Sequence, residues 1–296
     1  MPRKTAHDFD QDLLVLFDAY VHGGIDRRTF LDRAAKYAVG GVTAAMLLQQ
    51  LSPNFLEAQV VKPGDARIMQ EYIEYPSPNG SGTMRGYFTR PANTTARAPG
   101  ILVIHENRGL NPHIEDIARR LAVDGFVAFA PDALFPLGGY PGEEDKAREL
   151  FGKLEQPKTR EDFVAACAFL KARPECTGKL GAVGFCYGGG MVNFLATRIG
   201  TDLSAGVAFY GSSPNLEDVP KIRAPLMIQS AEVDERINAS WPAFEAALNA
   251  ASVPYERHLY PGTQHGFNND TTPRFDATAA KLAWDRTVAF FKKHVR

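Results

Sequence analysis

Gly181-Ala182-Val183-Gly184-Phe185-Cys186-Tyr187-Gly188-Gly189-Gly190 is the stretch whose reading decides the fold. The apolar run from Lys179 to Val183 reads as a buried strand, and Met191 to Ile199 continues in helical rhythm. Between them stands Gly184-x-Cys186-x-Gly188, a strand-to-helix turn carrying a nucleophile, here cysteine. Glycines two before and two after the cysteine suit a turn too tight for side chains. Such a turn lifts the thiol out of the sheet and aims the next helix's first N–H groups at it. Those dipoles favour thiolate and oxyanion alike. A glycine-rich turn around an inert cysteine has the same pattern, so the reading depends on partners elsewhere in the chain.

Working outward, strands alternate with helices of similar length. Ile68 to Tyr75 and Met84 to Phe88 form a hairpin about Pro78-Asn79-Gly80. Ile101 to Ile104 is a fully apolar central strand. Further strands are expected at Phe126 to Phe129, Gly206 to Phe209, Leu226 to Ile228 and Tyr255 to Tyr260. Helices are expected around Ile114 to Val123, from Pro141 through Leu154, and at Asp162 to Lys171, Trp241 to Ala250 and Ala277 to Phe291. The pattern predicts a mainly parallel sheet with helices on both faces, an α/β-hydrolase architecture, over residues 66–296. Ligands of such sheets sit beyond the carboxyl ends of the strands.

Those ends carry the expected partners. Asp234 follows Leu226 to Ile228, and His265 follows the last strand, so the order is nucleophile, acid, base. His265 would take the thiol proton and later activate water, and Asp234 would orient the imidazole. Glu232 and Glu235 are rivals for the acid. His105-Glu106-Asn107-Arg108-Gly109 follows the strand at 101–104. There Asn107 and Tyr187 are expected to supply the oxyanion-hole N–H groups. Glu106 is expected to point into the same pocket and hydrogen-bond the Cys186 thiol, which would disfavour free thiolate. The rival reading pairs Glu106 with Arg108 or leaves it in solvent.

With these residues in place the chain resembles the dienelactone hydrolases, over about Ala66 to Arg296. The resemblance rests on Gly-Phe-Cys-Tyr-Gly-Gly, Glu106, Ala130-Pro131-Asp132, Asp234 and His265-Gly266-Phe267. It implies a cofactor-free Cys-Asp-His hydrolase of esters or lactones, with the Glu106 position engaging the resting thiol. Two substrate-binding arginines of that family have no counterpart at Ala133 to Pro136 or at Asn269. Arg108 and Arg236 are the candidates to replace them, and Phe135, Leu137 and Tyr140 suggest an apolar mouth suited to a neutral ester or lactone. A thiol redox protein and a non-catalytic binding protein on the same fold are the competing classes.

Composition narrows the field. Lys+Arg 33 against Asp+Glu 34 gives a net charge of −1, with no basic surplus for nucleic acid. Three cysteines make no disulfide framework, and no metal motif is expected from the sequence. No apolar run reaches a membrane span. The oligomeric state is left open.

Residues 1–62 stand apart. Phe9, Leu13, Phe17 and Tyr20 recur at helical spacing up to Gly23-Gly24. Arg27-Arg28-Thr29-Phe30-Leu31, followed by the apolar stretch Tyr37 to Leu48, resembles a twin-arginine export signal with a weak cleavage site after Ala58. Periplasmic export is therefore the expectation. The competing reading is a cytoplasmic protein retaining a helical hairpin packed on the catalytic domain.

Overall fold

The computed structural model describes residues 4–55, 58–93 and 96–295. Its centre is one eight-stranded sheet in the order β1-β2-β4-β3-β5-β6-β7-β8. The strands are β1 (Ile68–Ser77), β2 (Gly82–Pro91), β3 (Ala98–Ile104), β4 (Val127–Pro131), β5 (Cys176–Phe185), β6 (Ala205–Phe209), β7 (Leu226–Val233) and β8 (Tyr255–Gln264). The hairpin β1–β2 adds antiparallel to β4, and every pair from β4 through β8 is parallel. The second halves of central strands β3 and β5 are covered on both faces, which is why Gly100 to Ile104 and Leu180 to Phe185 are continuously apolar rather than alternating.

Helices α4 (Pro112–Val123) and α10 (Ala277–His294) cover one face, packing Ile114, Ile117, Leu121 and Phe291 on Ile101, Val103 and Val183. On the other face lie α6 (Gln156–Ala172), α7 (Tyr187–Arg198) and α9 (Trp241–Ala250), with Phe163, Leu170, Val192, Leu195 and Phe244 packed on Leu102 and Ala182. Two short helices, α5 (Glu144–Phe151) and α8 (Glu235–Asn238), flank the carboxyl ends of the strands. The buried Cys167 and Cys176 belong to the core opposite α4 and α10.

The N-terminal segment is folded on that same end. It comprises α1 (Gln11–Val21), α2 (Arg27–Ala34) and α3 (Ala44–Leu51). Each helix starts on a side-chain cap: Asp10 accepts from Asp12 N, Asp26 from Thr29 N and Thr43 from Met46 N. The apolar stretch Tyr37 to Leu48 is not one helix. Gly40 and Gly41 both take positive φ and break it, so α3 begins only at Ala44. Leu13, Leu14, Phe17, Tyr20, Phe30, Leu48 and Leu51 form a core of their own. The suggested cleavage sequence Leu56-Glu57-Ala58 falls partly outside the described residues.

Candidate active site

β5 runs directly into Cys186, whose backbone stands at φ 55°, ψ −111°, before α7 begins at Tyr187. A non-glycine residue there is strained, and it stays so only because its surroundings leave no alternative. The flanking glycines supply that constraint. A Cβ on Gly184 would stand 2.1 Å from the Gly188 carbonyl oxygen, and one on Gly188 would stand 2.2 Å from the Ile104 carbonyl oxygen. The elbow is thus closed on itself and pressed against the end of β3. This close approach brings the segment His105 to Arg108 beside the thiol.

The loop after β8 delivers the histidine. Gln264 O and Phe267 O accept the N–H groups of Phe267 and Asp276, closing the loop. Asp270 accepts from Arg120 and lies 3.1 Å from His113 Nδ1, tying the loop to α4. His265 Nδ1 is 2.6 Å from Asp234 Oδ2, and both residues are buried. That contact fixes the proton on Nδ1 and leaves Nε2, with no hydrogen-bond partner in standard geometry among the described residues, facing Cys186. The Tyr210 ring packs on the same imidazole at 4.9 Å between centroids. Of the rival acids, exposed Glu232 accepts from Gly262 N and holds the β8 turn, and Glu235 opens α8. Asp234 is the carboxylate that reaches His265.

Glu106 lines the cavity over the thiol, as expected, but its hydrogen bond is to a different group. Its Oε2 accepts from Asn269 Nδ2 at 2.9 Å, with the Asn269 amide oriented by Thr271, whose N–H and hydroxyl both donate to Asn269 Oδ1. The hydrogen-bond partner of the thiol is instead His22, at the C-terminal end of α1. Its Nε2 lies 3.3 Å from Cys186 Sγ. His22 Nδ1 donates to the Asp18 carbonyl at 2.8 Å and stands 3.3 Å from the Asp18 carboxylate. The thiol therefore sits between two imidazoles, each backed by an aspartate. Burial alone would push the Cys186 thiol up, but His265 and then His22 override it and bring it down to about 6. Burial opposes the charge on His265, yet Cys186 and Asp234 raise it to about 10. The same balance raises His22, through Cys186 and Asp18. Asp18, despite burial, is held low by His22 and Arg274.

The other expected site residues divide. Asn107 lines the cavity with Cys186 and its side chain donates to Val21 O at 2.9 Å, while Tyr187 follows Cys186 as the first residue of α7 and its hydroxyl donates to Gln156. Buried His105 accepts from Ala133 N through Nε2 and contacts Glu106 O through Nδ1, anchoring the loop that carries Asn107. Burial pushes His105 down to about 4, in keeping with a neutral ring. Arg108 is buried at the cavity wall, paired with Glu144 at 3.5 Å and donating to Val21 O at 3.2 Å. Phe135 and Tyr140 do not line the cavity. Phe135 packs under the Arg85 guanidinium, and the Tyr140 hydroxyl donates to Glu144, because the turn at Gly138 and Gly139 carries the loop away. Arg236 lies in an outer groove, half-exposed, with Nη2 3.3 Å from His22 Nε2. Sequence reading missed His22, Asp18, Asn269 and Arg274. The i, i+4 spacing of Asp18 and His22 was legible, but not the wall they would reach.

The cavity over the thiol measures about 50 Å³ and is walled by Phe17, Tyr20, His22, Arg108, Asn269 and Arg274, among others. Drug-sized ligands occupy roughly 300–1,000 Å³. With the hairpin docked there is room for a water or an ion, not for an ester. Docking is held by Arg274 to Asp18 at 3.0 Å, Arg148 to Tyr20 O at 3.1 Å, Tyr20 to Asp145, and Arg27 to Asp145 at 3.2 Å.

Comparison with known proteins places this arrangement in context. A model described as "Dienelactone hydrolase family" matches residues 84–295, and one described as "YqhI-like" matches residues 1–36. "Putative hydrolase fragment YghX" of Escherichia coli (strain K12) is 53% identical over 109 residues, covering 37% of this chain and 93% of that one. "Putative carboxymethylenebutenolidase" of Saccharolobus solfataricus is 29% identical, covering 76% and 99%. Among solved structures, "Putative Dienelactone Hydrolase" from Klebsiella pneumoniae superposes with a TM-score of 0.67 at 28% identity, covering 76% of this chain and 100% of that chain.

Proposed function

The chain belongs to the dienelactone hydrolase family, and from that premise we propose that it hydrolyses small-molecule carboxylic esters or lactones through Cys186, His265 and Asp234, without a cofactor. The observation that carries this reading is the 2.6 Å contact of Asp234 with His265, whose other nitrogen faces a cysteine on a positive-φ elbow. The thiolate attacks the ester carbonyl, and a tetrahedral oxyanion forms beside Asn107 and Tyr187. Their N–H groups stabilise that oxyanion more than the ground-state carbonyl. Protonated His265 donates to the leaving alkoxide as the C–O bond breaks, leaving an acyl-thioester. Neutral His265 then takes a proton from water, the hydroxide displaces the thiolate, and acid is released. The redox reading lacks a resolving thiol, since Cys167 and Cys176 pack in the core behind the sheet.

The small volume of the cavity over the thiol supports substrate entry by movement of the N-terminal hairpin. The packed core of α1–α3 and its ties to Asp145, Arg148 and Arg274 support a retained hairpin over a cleaved leader.

The test is a panel of p-nitrophenyl esters and lactones with mass spectrometry of acylated Cys186. Cys186→Ala should abolish turnover, and His265→Ala should lower it by on the order of 10³ or more. Full activity in Cys186→Ala would sink the assignment.

A further inference from the structure

We propose that His22, Cys186 and His265 bind one thiophilic divalent cation, Zn²⁺ in its simplest form, and that this cation latches the hairpin shut over the nucleophile. The inference rests on the reading of Cys186 as the nucleophile only for its inhibitory consequence; the site itself rests on geometry. His22 Nε2, Cys186 Sγ and His265 Nε2 all lie within 4.8 Å of one another, and the first two are 3.3 Å apart. A tetrahedral zinc with bonds of about 2.0–2.3 Å to nitrogen and sulfur holds its ligands roughly 3.3–3.7 Å apart. The His22–Cys186 pair already has that spacing, and the other two separations, each within 4.8 Å, must close by no more than about 1.5 Å as the cation enters.

Each imidazole is also set up as a ligand. His22 Nδ1 donates to the Asp18 carbonyl and His265 Nδ1 to Asp234, so that both Nε2 atoms are turned to the thiol, and the cation binds them in exchange for any proton they carry. A carboxylate behind the remote nitrogen is the arrangement that orients metal-bound histidines and raises their basicity. Two imidazoles with one thiolate suit zinc over magnesium or calcium, which prefer oxygen. Three protein ligands leave a fourth position, and the cavity of about 50 Å³ beside them holds a water, whose liquid volume is about 30 Å³. Arg236, half-exposed with Nη2 at 3.3 Å from His22 Nε2, has solvent into which to swing as the cation enters. His22 comes from α1, whereas Cys186 and His265 come from the sheet. A cation shared among them joins hairpin to catalytic domain and occupies the lone pair that would attack an ester.

Full-length protein stripped with a chelator should bind one Zn²⁺ per chain by calorimetry, and hydrolysis should stop as that site fills. Co²⁺ substituted for Zn²⁺ should give tetrahedral visible bands and a thiolate charge-transfer band that Cys186→Ser removes. Asp18→Asn should weaken Zn²⁺ binding about 10–100-fold, as loss of such carboxylates does. His22→Ala and His22→Gln should weaken it by at least as much, the glutamine keeping polarity and bulk should alanine loosen the hairpin. Less than one Zn²⁺ per chain, wild-type affinity in both His22 variants, or zinc that raises turnover overturns the proposal. Hydrolysis by the metal-free wild type is read separately. Its absence alongside intact 1:1 binding would count against the thiol mechanism and leave the cation site standing.

Discussion

At the scale of single residues, the proposed chemistry turns on what surrounds one sulfur. A carboxylate beside Cys186 would have kept the thiol protonated; two imidazoles do the opposite. Alkylation by iodoacetamide should therefore reach half its maximal rate near pH 6, where the thiol titrates, and not near the free-thiol value of about 8.5. His22→Ala removes one of the two rings and should move that midpoint upward. Superimposable pH–rate curves for the two proteins would show that His22 does not act on the sulfur. Gly188 is decided by space alone. An added Cβ would meet the Ile104 carbonyl oxygen at 2.2 Å, and neither backbone can yield. Gly188→Ala should cost about 1–3 kcal/mol or more in denaturant unfolding and take most of the activity with it.

At the scale of elements, the question is how firmly α1–α3 sit on the strand ends. Phe17 is 4% exposed, contacts Phe30 and lies beneath the Arg274 guanidinium. Phe17→Ala should remove about 3–5 kcal/mol of packing from the hairpin. The expected result is faster proteolytic nicking before residue 66 and a larger kcat/KM for bulky esters relative to acetates. An unchanged ratio would mean that the hairpin does not gate entry. Acid should loosen the same contact. Asp18 has a folded pKa below its ordinary value of about 3.9, so its contribution is fully present above that value and is lost as pH falls below it. Nicking should accelerate below about pH 4 in the wild type, and Asp18→Asn should be nicked readily at neutral pH.

At the scale of the whole molecule, the fate of the first 62 residues determines what the site is. Retention keeps His22 on Cys186; cleavage after Ala58 would remove the hairpin, His22 and the wall of the cavity together. Arg27 and Arg28 stand in the first turn of α2, and Arg27 is paired with Asp145. Intact-mass analysis of protein from its native host should find residue 22 present in the active fraction. A mature chain starting after Ala58 in the periplasm would establish the export reading instead. The sheet, the elbow, the order of Cys186, Asp234 and His265, and the loop bearing Glu106 were all legible in the chain. Apolar runs, glycine spacing and strand-end position are local properties, and this fold places strand ends together. The partner of the thiol was not legible. His22 stands 164 residues before Cys186, and only packing of the Leu13, Phe17 and Tyr20 face turns it onto the sulfur. The partner of Glu106 was not legible for the same reason: an amide from Asn269, 163 residues away, meets its carboxylate. Sequence determined which side chains stand at the ends of the strands, because backbone periodicity fixes that. Tertiary structure decided which of them touch, because hydrogen bonds a few ångströms long are set by how separately folded elements pack.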